Sequence, residues 1–342
     1  MRSAVFYGKN DVRIEDVNDA GEPDPNEVQM RVAYCGICGS DLEAIRTGNY
    51  VPGVIIGHEF SGLITKIGSE IRDLQVGTEA VASSIVPCGH CSFCLTGRPE
   101  LCENPLMIGI SKNGGMSELV NVPALSVLRI PSNMNLKIAA LAEPLSIALH
   151  AVNLAHIKMG ETILIQGAGP IGLLIEVSLS FCGLSNIIIS DISQSRLALA
   201  KNLNENVTVV NPKERNINFV VEEITEGSGV DFVFDTTGSG EVFDSDISVT
   251  KRGGKIIMVG IPEKPSNASL LPLVINEISL VGSYEGYNEM QEAIYLLSKH
   301  PDVFERVITK IVKLDKSVDD GYLPLLENPV EGKILVAVGG DL

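Results

Sequence analysis

The chain has 342 residues, more than one typical hydrophobic core fills, so two domains are the expected organisation. Its 43 Asp and Glu outweigh 26 Lys and Arg, and the resulting charge of −17 repels a nucleic-acid backbone and argues against that class of partner. With 45% hydrophobic and 20% charged residues the composition is globular; no apolar run is long enough to span a bilayer and no signal peptide is apparent, so a soluble cytoplasmic protein is expected.

In chain order, the first part reads as a compact β-rich domain. Short apolar runs at 28–32, 54–56 and 62–64, broken by Gly and Pro, predict strands. Two sets of metal-binding residue types lie among them. Gly36-Ile-Cys38-Gly-Ser40-Asp41 and, further on, Gly57-His58-Glu59 offer Cys, His and carboxylate from separate loops, the ligand types of an open, catalytic zinc site. Nothing in their spacing forces them together. Cys35 and Cys38 also form a C-x-x-C pair, but no thioredoxin-like βαβ pattern surrounds it. Cys35 and Cys182 read as small buried hydrophobes.

The second set is Cys88, Cys91, Cys94 and Cys102, spaced C-x-x-C-x-x-C and then eight residues on, tight enough for four thiolates to close a tetrahedral zinc site. A disulfide framework is the weaker reading, because the cysteines number seven and the chain is large. His90 lies between two of the thiols, but four thiolates already fill the shell.

After about residue 143 the texture changes to alternating strands and helices. Strands are predicted at 162–166, 186–190, 207–210, 231–234, 255–259 and 278–281, with helices over 171–181 and 193–203, the pattern of a doubly wound parallel sheet. Gly167-Ala-Gly169-Pro170-Ile171-Gly172 fits G-x-G-x-x-G between a strand and a helix, and Asp191 ends the next strand. In that context Gly167 supplies the tight turn, Gly169 the close approach to a pyrophosphate, and Gly172 the helix–strand packing. Asp191 would accept the adenosine ribose hydroxyls and repel a 2′-phosphate, favouring NAD over NADP, with Arg196 one turn into the following helix. Thr236 and Gly238 follow the fourth strand at the carboxyl edge of the sheet, where ligands bind. A helix over 289–299 and a strand over 332–338 complete the chain. His150 and His156 are expected on helix faces.

Taken together and in this order, these motifs resemble the zinc-dependent medium-chain dehydrogenase/reductase family over nearly the whole chain, and most closely its sorbitol (polyol), threonine and butanediol dehydrogenase branch. The resemblance implies an α/β plus β fold: a GroES-like β-barrel catalytic domain with an inserted Rossmann domain. The first part of the catalytic domain would span 1–143, with the structural zinc lobe at 88–102; the NAD-binding domain would span 144–283, and 284–342 would return to the barrel. The active site would lie in the cleft between them, with two zinc ions per chain and a homodimer or homotetramer formed through the edge strand at 278–281.

Residue by residue, Cys38 corresponds to the family's catalytic zinc cysteine, and His58 and Glu59 to its G-H-E pair. Leu141-Ala-Glu143-Pro144-Leu145 matches the branch's E-P-L element, so Glu143 is either a direct ligand or a partner of metal-bound water; the choice between Glu59 and Glu143 stays open. Ser40 occupies the position that accepts the substrate proton, and Asp41 the one that orients the His58 ring. The implied reaction is hydride transfer from a secondary alcohol or polyol to NAD, with zinc polarising the alcohol oxygen. L-Threonine and 2,3-butanediol are alternative substrates. A non-catalytic dinucleotide-binding protein is the reading from another class, against which the intact Cys38, Ser40, Asp41, His58 and Glu59 argue.

Two positions depart from the family pattern. Glu43 stands where many relatives carry a relay histidine, and its favoured reading is a solvated side chain, the proton leaving by cofactor ribose and water. The stretch Gly282-Ser-Tyr284-Glu285-Gly-Tyr287 lacks the Arg that engages polyols in sorbitol dehydrogenases, which puts sorbitol itself in question. Tyr50 and Tyr284 are candidate pocket residues.

Overall fold

The computed structural model describes residues 1–184, 186–262 and 265–339. The chain folds as two compact units, one of Met1–Ser146, Gly286–Pro329 and Lys333–Leu342, the other of Ile147–Glu285 and Val330–Gly332.

The first unit is mainly strand. In chain order it holds β1 (Arg2–Gly8), β2 (Asp11–Asp16), β3 (Glu27–Gly36), α1 (Gly39–Thr47), β4 (Glu59–Ile67), β5 (Glu79–Ala82), β6 (Ile85–Val86), α2 (Ser92–Leu95), β7 (Leu106–Met107), β8 (Leu119–Pro123), β9 (Val127–Arg129) and α3 (Leu136–Ala139). Helix α4 (Ala142–Ala155) carries the chain into the second unit. That unit alternates β10 (Ile163–Gln166), α5 (Pro170–Phe181), β11 (Ile187–Ser190), α6 (Gln194–Leu203), β12 (Thr208–Val210), α7 (Ile217–Ile224), β13 (Val230–Asp235), α8 (Gly240–Val249), β14 (Thr250–Met258), α9 (Leu271–Ile275) and β15 (Ser279–Gly282). The chain then returns to the first unit through α10 (Met290–Lys299), α11 (Pro301–Glu305), β16 (Ile308–Lys313), α12 (Leu323–Glu327) and β17 (Lys333–Ala337).

Strand β3 anchors the first unit's large sheet, of order β16-β17-β3-β4-β5-β9, with β8 also paired to β3. It is buried along nearly its whole length and pairs antiparallel with β4, β8 and β17. Val336 of β17 lies opposite Cys35, so the end of the chain is built in beside the loop that carries Cys38. Phe6, Met30, Phe60, Ile64 and Tyr322 fill the core of this unit. Burial of such side chains contributes about 1.5–3 kcal/mol each before the entropy cost of ordering them. Residues 54–56 do not form the expected strand. Ile55 makes one isolated bridge to Val5, and Pro52-Gly53 and Gly57 on either side keep the run from extending.

The second unit's sheet has order β12-β11-β10-β13-β14-β15, every pair parallel. Strands β10 and β11 are continuous apolar runs, Ile163-Leu-Ile and Ile187-Ile-Ile, because a parallel sheet is covered on both faces. The strand order reverses between β10 and β13, the place in a doubly wound sheet where a crevice opens at the carboxyl edge. The fifth strand is longer than expected, β14 beginning at Thr250. Cys182 is exposed, not buried, because it caps α5 at the turn into Gly183. His156 is not on a helix face; it takes a left-handed conformation, φ +57°, just past α4. Among the described residues no helix is long and apolar enough to cross a membrane.

Candidate active site

The first unit holds two clusters of metal-binding groups. One is built where β3 runs out into α1 and where β4 begins. Cys38 is the extended N-cap residue of α1, with φ −94° and ψ 153°, which aims its thiol back toward the strand ends. Asp41, in the first turn of α1, accepts a hydrogen bond from the Cys38 backbone N–H at 3.3 Å, satisfying one of the free donors of a helix start. His58 and Glu59 stand at the entry to β4. Ligand atoms of Cys38, His58 and Glu59 all lie within 4.8 Å of one another, with the histidine and glutamate buried. The chain thus brings together three of the residues its motifs singled out. Glu143 is buried as well but lies outside that cluster of three.

The surroundings are strongly polar for a buried place. Asp41 Oδ1 sits 3.6 Å from His58 Nδ1, an ion-pair distance. Ser40 Oγ lies 3.4 Å from His58 Nε2 and accepts a hydrogen bond from Tyr50 Oη at 3.1 Å. Tyr50 packs edge-on against Phe6. Burial, together with the Asp41 charge, pushes the Tyr50 phenol well above its usual range, so it stays a hydroxyl donor near neutral pH. Burial works against charging His58, yet the Cys38 thiolate, Asp41 and Glu143 overcome it and raise the imidazole well above its ordinary value. Asp41 Oδ1 and His58 Nδ1 are buried without a hydrogen-bond partner. A thiol, an imidazole and several carboxyl groups gathered in a mostly buried place, with orphaned polar atoms among them, fit a bound cation.

Lys333 is the residue that sequence reasoning passed over. Its Nζ donates to Glu59 Oε1 at 2.5 Å and to the Ile37 carbonyl at 3.0 Å, and it pairs with the second Glu59 oxygen too. Both side chains are almost wholly buried. Burial lowers the lysine pKa, but Glu59 and the Cys38 thiolate outweigh that and raise it, so the ammonium stays charged. Gly36 makes room for the pair: a Cβ there would fall 2.0 Å from Glu59 Oε2. In the sequence Lys333 is one lysine in a C-terminal apolar strand, 274 residues from its partner, and only the β17–β3 pairing reveals it.

Glu43 is half-buried on α1, and its carboxylate makes no hydrogen bond or ion pair among the described residues. Tyr284 belongs to the other unit and is 49% exposed.

The second cluster is Cys88, Cys91, Cys94 and Cys102, all four thiols within 4.8 Å of one another. Sulfur–sulfur distances of 3.4 Å for Cys91–Cys94 and 3.9 Å for Cys88–Cys94 are far beyond the ~2.05 Å of a disulfide. Backbone N–H groups of Cys94 and Glu103 pull the Cys91 thiol down to about 6, while burial and its thiol neighbours push Cys94 up to about 12. Four thiols competing for protons at this range fit a cation that lets all of them ionise. His90 turns away and hydrogen-bonds the Cys88 carbonyl at 2.9 Å. From the C-terminal part of the unit, Asn288 Nδ2 holds the lobe through the Gly97 carbonyl at 3.1 Å.

In the second unit, β10 leads through Gly167, at φ +95°, to Gly169, the N-cap of α5, and Pro170 opens the helix. Ile171 follows within its first turn. At Gly172 a Cβ would fall 1.9 Å from the Gly167 carbonyl, so only glycine lets the helix close on the strand. Gly169 differs: a Cβ there would meet nothing nearer than Arg196 Nη1 at 3.7 Å, which leaves open space above the helix start for a phosphate. Asp191 Oδ2 accepts the Ala168 N–H at 2.8 Å, and its Oδ1 the Ser193 N–H at 2.7 Å. Arg196 Nη1 is 3.9 Å from Asp191, and its Nε donates to the Glu331 carbonyl at 2.9 Å. Thr236 Oγ1 donates to the Gln166 carbonyl at 2.9 Å, and Gly238 takes φ +64° in the next turn. The donors, the dipole and the acidic strand end fit a dinucleotide.

Residues 24–132 match the model of the alcohol dehydrogenase GroES-like domain, and residues 170–299 that of the zinc-binding dehydrogenase domain. A sorbitol dehydrogenase of Bombyx mori is 33% identical over 98% of each chain. The chain belongs to the zinc-dependent medium-chain dehydrogenase/reductase family. An (R,R)-butanediol dehydrogenase of Neisseria gonorrhoeae is 32% identical over the full length of both chains. Among solved structures, a protein of Sinorhizobium meliloti 1021 described as a zinc-binding dehydrogenase and bound to NADP superposes with a TM-score of 0.88, at 29% identity, over 98% of this chain and 99% of its own. As a member of this dehydrogenase family the chain is an oxidoreductase of the zinc-dependent alcohol or polyol dehydrogenase class, with a GroES-like and a Rossmann domain.

Proposed function

We propose that Cys38, His58 and Glu59 hold the catalytic zinc and that Ser40 receives the proton of a secondary alcohol or polyol as its hydride passes to NAD. The observation that carries this reading is the convergence of the three ligand atoms within 4.8 Å. When bound, the zinc supplies Lewis acidity that lowers the pKa of the alcohol. Asp41 holds the His58 ring from the Nδ1 side and leaves Nε2 for the metal. Lys333 fixes the Glu59 carboxylate and balances its charge. Glu143 is the outer carboxylate, whose charge acts on His58 and Lys333 from beyond the three ligands. Tyr50 donates to Ser40 Oγ and so directs the serine's own hydrogen away from the tyrosine, toward a further acceptor. Cys88, Cys91, Cys94 and Cys102 hold the structural zinc.

NAD is preferred to NADP, because the Asp191 carboxylate at the glycine loop would face a 2′-phosphate. Gly167, Gly169, Pro170, Ile171 and Gly172 form the pyrophosphate turn, and Arg196, Thr236 and Gly238 line its approach. The catalytic domain comprises residues 1–143 and 284–342, and the NAD-binding domain 144–283. The substrate is a small diol or polyol, with L-threonine as the second reading. The enzyme is cytoplasmic and works as a homodimer or homotetramer. Support for assembly comes from the edge strand β15, where Leu280 is exposed, and from exposed Leu271, Val274 and Ile275 of the preceding helix α9.

One screen tests the reading: nicotinamide absorbance with diols, polyols, sugars and threonine against NAD and NADP, beside metal counting. Turnover on diols or polyols with NAD and two zinc ions per chain is the expected result. Turnover confined to threonine, or preference for NADP, would replace the substrate or cofactor assignment.

A further inference from the structure

The carboxyl edge of the parallel sheet carries a buried polar chain that none of the roles above uses. Gln166 ends β10, Ser190 ends β11 and Asp235 ends β13, and the three lie level: Gln166 is in register with Ser190 on one side and Asp235 on the other. Paired residues of parallel strands point to the same face, and here that face is covered by α8, which brings in Asp246. Ser190 Oγ donates to Gln166 Oε1. Gln166 Nε2 donates to Asp246 Oδ1 at 2.9 Å. Asp246 is within hydrogen-bonding reach of Asp235, whose Oδ1 accepts from the Thr237 N–H at 2.7 Å and the Thr237 hydroxyl at 2.6 Å. All four side chains are at most 4% exposed.

Two carboxylates this deeply buried and this close cannot both be charged. Each also has one oxygen, Oδ2, with no hydrogen-bond partner among the described residues. One proton between the two groups removes the second charge and supplies a donor to a pair of carboxyls that has none of its own. The proton belongs on Asp246. Asp235 has the Thr237 hydroxyl and the Thr237 and Gly238 backbone N–H groups to stabilise a negative charge, whereas Asp246 has Gln166 alone. Burial, and then the Asp235 charge, push Asp246 up to about 8. Among the described residues Asp235 is the one titratable group acting on Asp246; β13, β14, α7 and α9, which pack on α8, send it no lysine, arginine or histidine.

The position of this chain gives it a use. The residues directly after its three strand ends are Gly167, Asp191 and Thr236, the cofactor residues of the proposed function, on which this inference rests. We propose that Asp246, in its protonated form, is a positioning residue for the dinucleotide, its proton linking α8 and the ends of β10, β11 and β13 so that Gly167, Asp191 and Thr236 are held level. Removing the proton sets two charges against each other beneath the cofactor turn, and NADH affinity falls with rising pH.

NADH fluorescence titration of the zinc-loaded enzyme from about pH 6.5 to about pH 9.5 tests this. With half-ionisation near pH 8, the wild-type Kd rises about tenfold between about pH 7 and about pH 9. Asp246→Asn keeps an acceptor for Gln166 and supplies a permanent donor to Asp235, so its Kd stays flat across the range and within about twofold of wild type at pH 7. Asp246→Leu takes away the acceptor of Gln166 Nε2 and the carboxyl partner of Asp235, and raises Kd at least about tenfold at pH 7; if it does not fold, the pH profile of Asp246→Asn still decides. A wild-type Kd that does not change with pH, or an Asp246→Asn profile that climbs in parallel with wild type, would overturn the proposal. Absence of NADH binding by wild type at every pH overturns the dinucleotide reading and this inference with it. Thermal unfolding without cofactor separates the two failures: a neutral Asp246 gives the wild type a steeper loss of stability than Asp246→Asn between about pH 4 and about pH 8, and parallel curves above that.

Discussion

The two metal-binding clusters of the first unit are opposites in construction. The four-cysteine lobe takes its ligands from one short stretch, 88–102, two of them buried and two half-buried, and offers four like donors met by backbone N–H groups. The Cys38 cluster draws on α1, the start of β4 and, through Lys333, the last strand of the chain. It mixes a thiol, an imidazole and a carboxylate, and packs a serine, a tyrosine, an aspartate and a lysine around them. A closed set of four thiolates satisfies a zinc ion and has no position left for a substrate. A set of three with a hydroxyl chain beside it has one. That contrast supports the proposed division of roles, stability for the first cluster and chemistry for the second, and the division can be broken experimentally.

The largest effect is expected from exchanging a ligand in each cluster. Cys38→Ser lowers the zinc count by one and turnover by at least about a thousandfold, since a Lewis acid contributes several kcal/mol to such a step. NADH binding by the other unit persists. Cys94→Ser also lowers the zinc count by one, but its cost falls on thermal stability and soluble yield, and the folded fraction keeps kcat within about threefold of wild type. Metal analysis, melting curves and kcat on the same preparations check both. Retained turnover in Cys38→Ser, or lost turnover with normal melting in Cys94→Ser, would reverse the two roles.

Next in size is Lys333→Met. The substitution keeps the bulk of the side chain and removes the charge that balances Glu59. An uncompensated buried carboxylate costs about 3–5 kcal/mol, visible as a lower denaturant midpoint. Lys333→Met combined with Glu59→Gln recovers most of that stability, because neither partner then carries a buried charge, but not the activity. A double variant no more stable than the single one would mean that Lys333 acts by packing alone.

How much of this was legible beforehand follows the distance between the parts. The four cysteines and the glycine turn are local patterns, and the lobe and the β10–α5 turn have the form that their spacing implied. The parallel strands stood out because burial on both faces leaves uninterrupted Ile and Leu runs. Cys38, His58 and Glu59 were readable as residue types, but their meeting depends on the β3–β4 pairing that sets Gly36 opposite Glu59. Lys333 was not readable at all, since nothing in a C-terminal strand marks a lysine as buried. Asp246 escaped for the same reason: it lies mid-helix, and only the level register of Gln166, Ser190 and Asp235 gives it a partner. Residues 54–56 misled because an apolar run reports burial, which is real there, without reporting a strand partner of any length.

The smallest expected effect sharpens the comparison most, because it concerns a hydroxyl that the four-cysteine lobe has no counterpart for. Tyr50 donates to Ser40, and burial keeps its own proton in place, so it acts by fixing the serine rotor and not by titrating. Tyr50→Phe keeps the edge-on packing against Phe6 and deletes only the donor. One neutral hydrogen bond is worth about 1 kcal/mol, so kcat falls about fivefold, with KM for NAD and the melting temperature nearly unchanged. Glu43→Gln, one helical turn from the site but with no hydrogen bond or ion pair to its carboxylate among the described residues, changes kcat less than about twofold at neutral pH. If Glu43→Gln instead collapses turnover while Tyr50→Phe is silent, the proton leaves Ser40 through the carboxylate, and the tyrosine is core packing that happens to end in a hydroxyl.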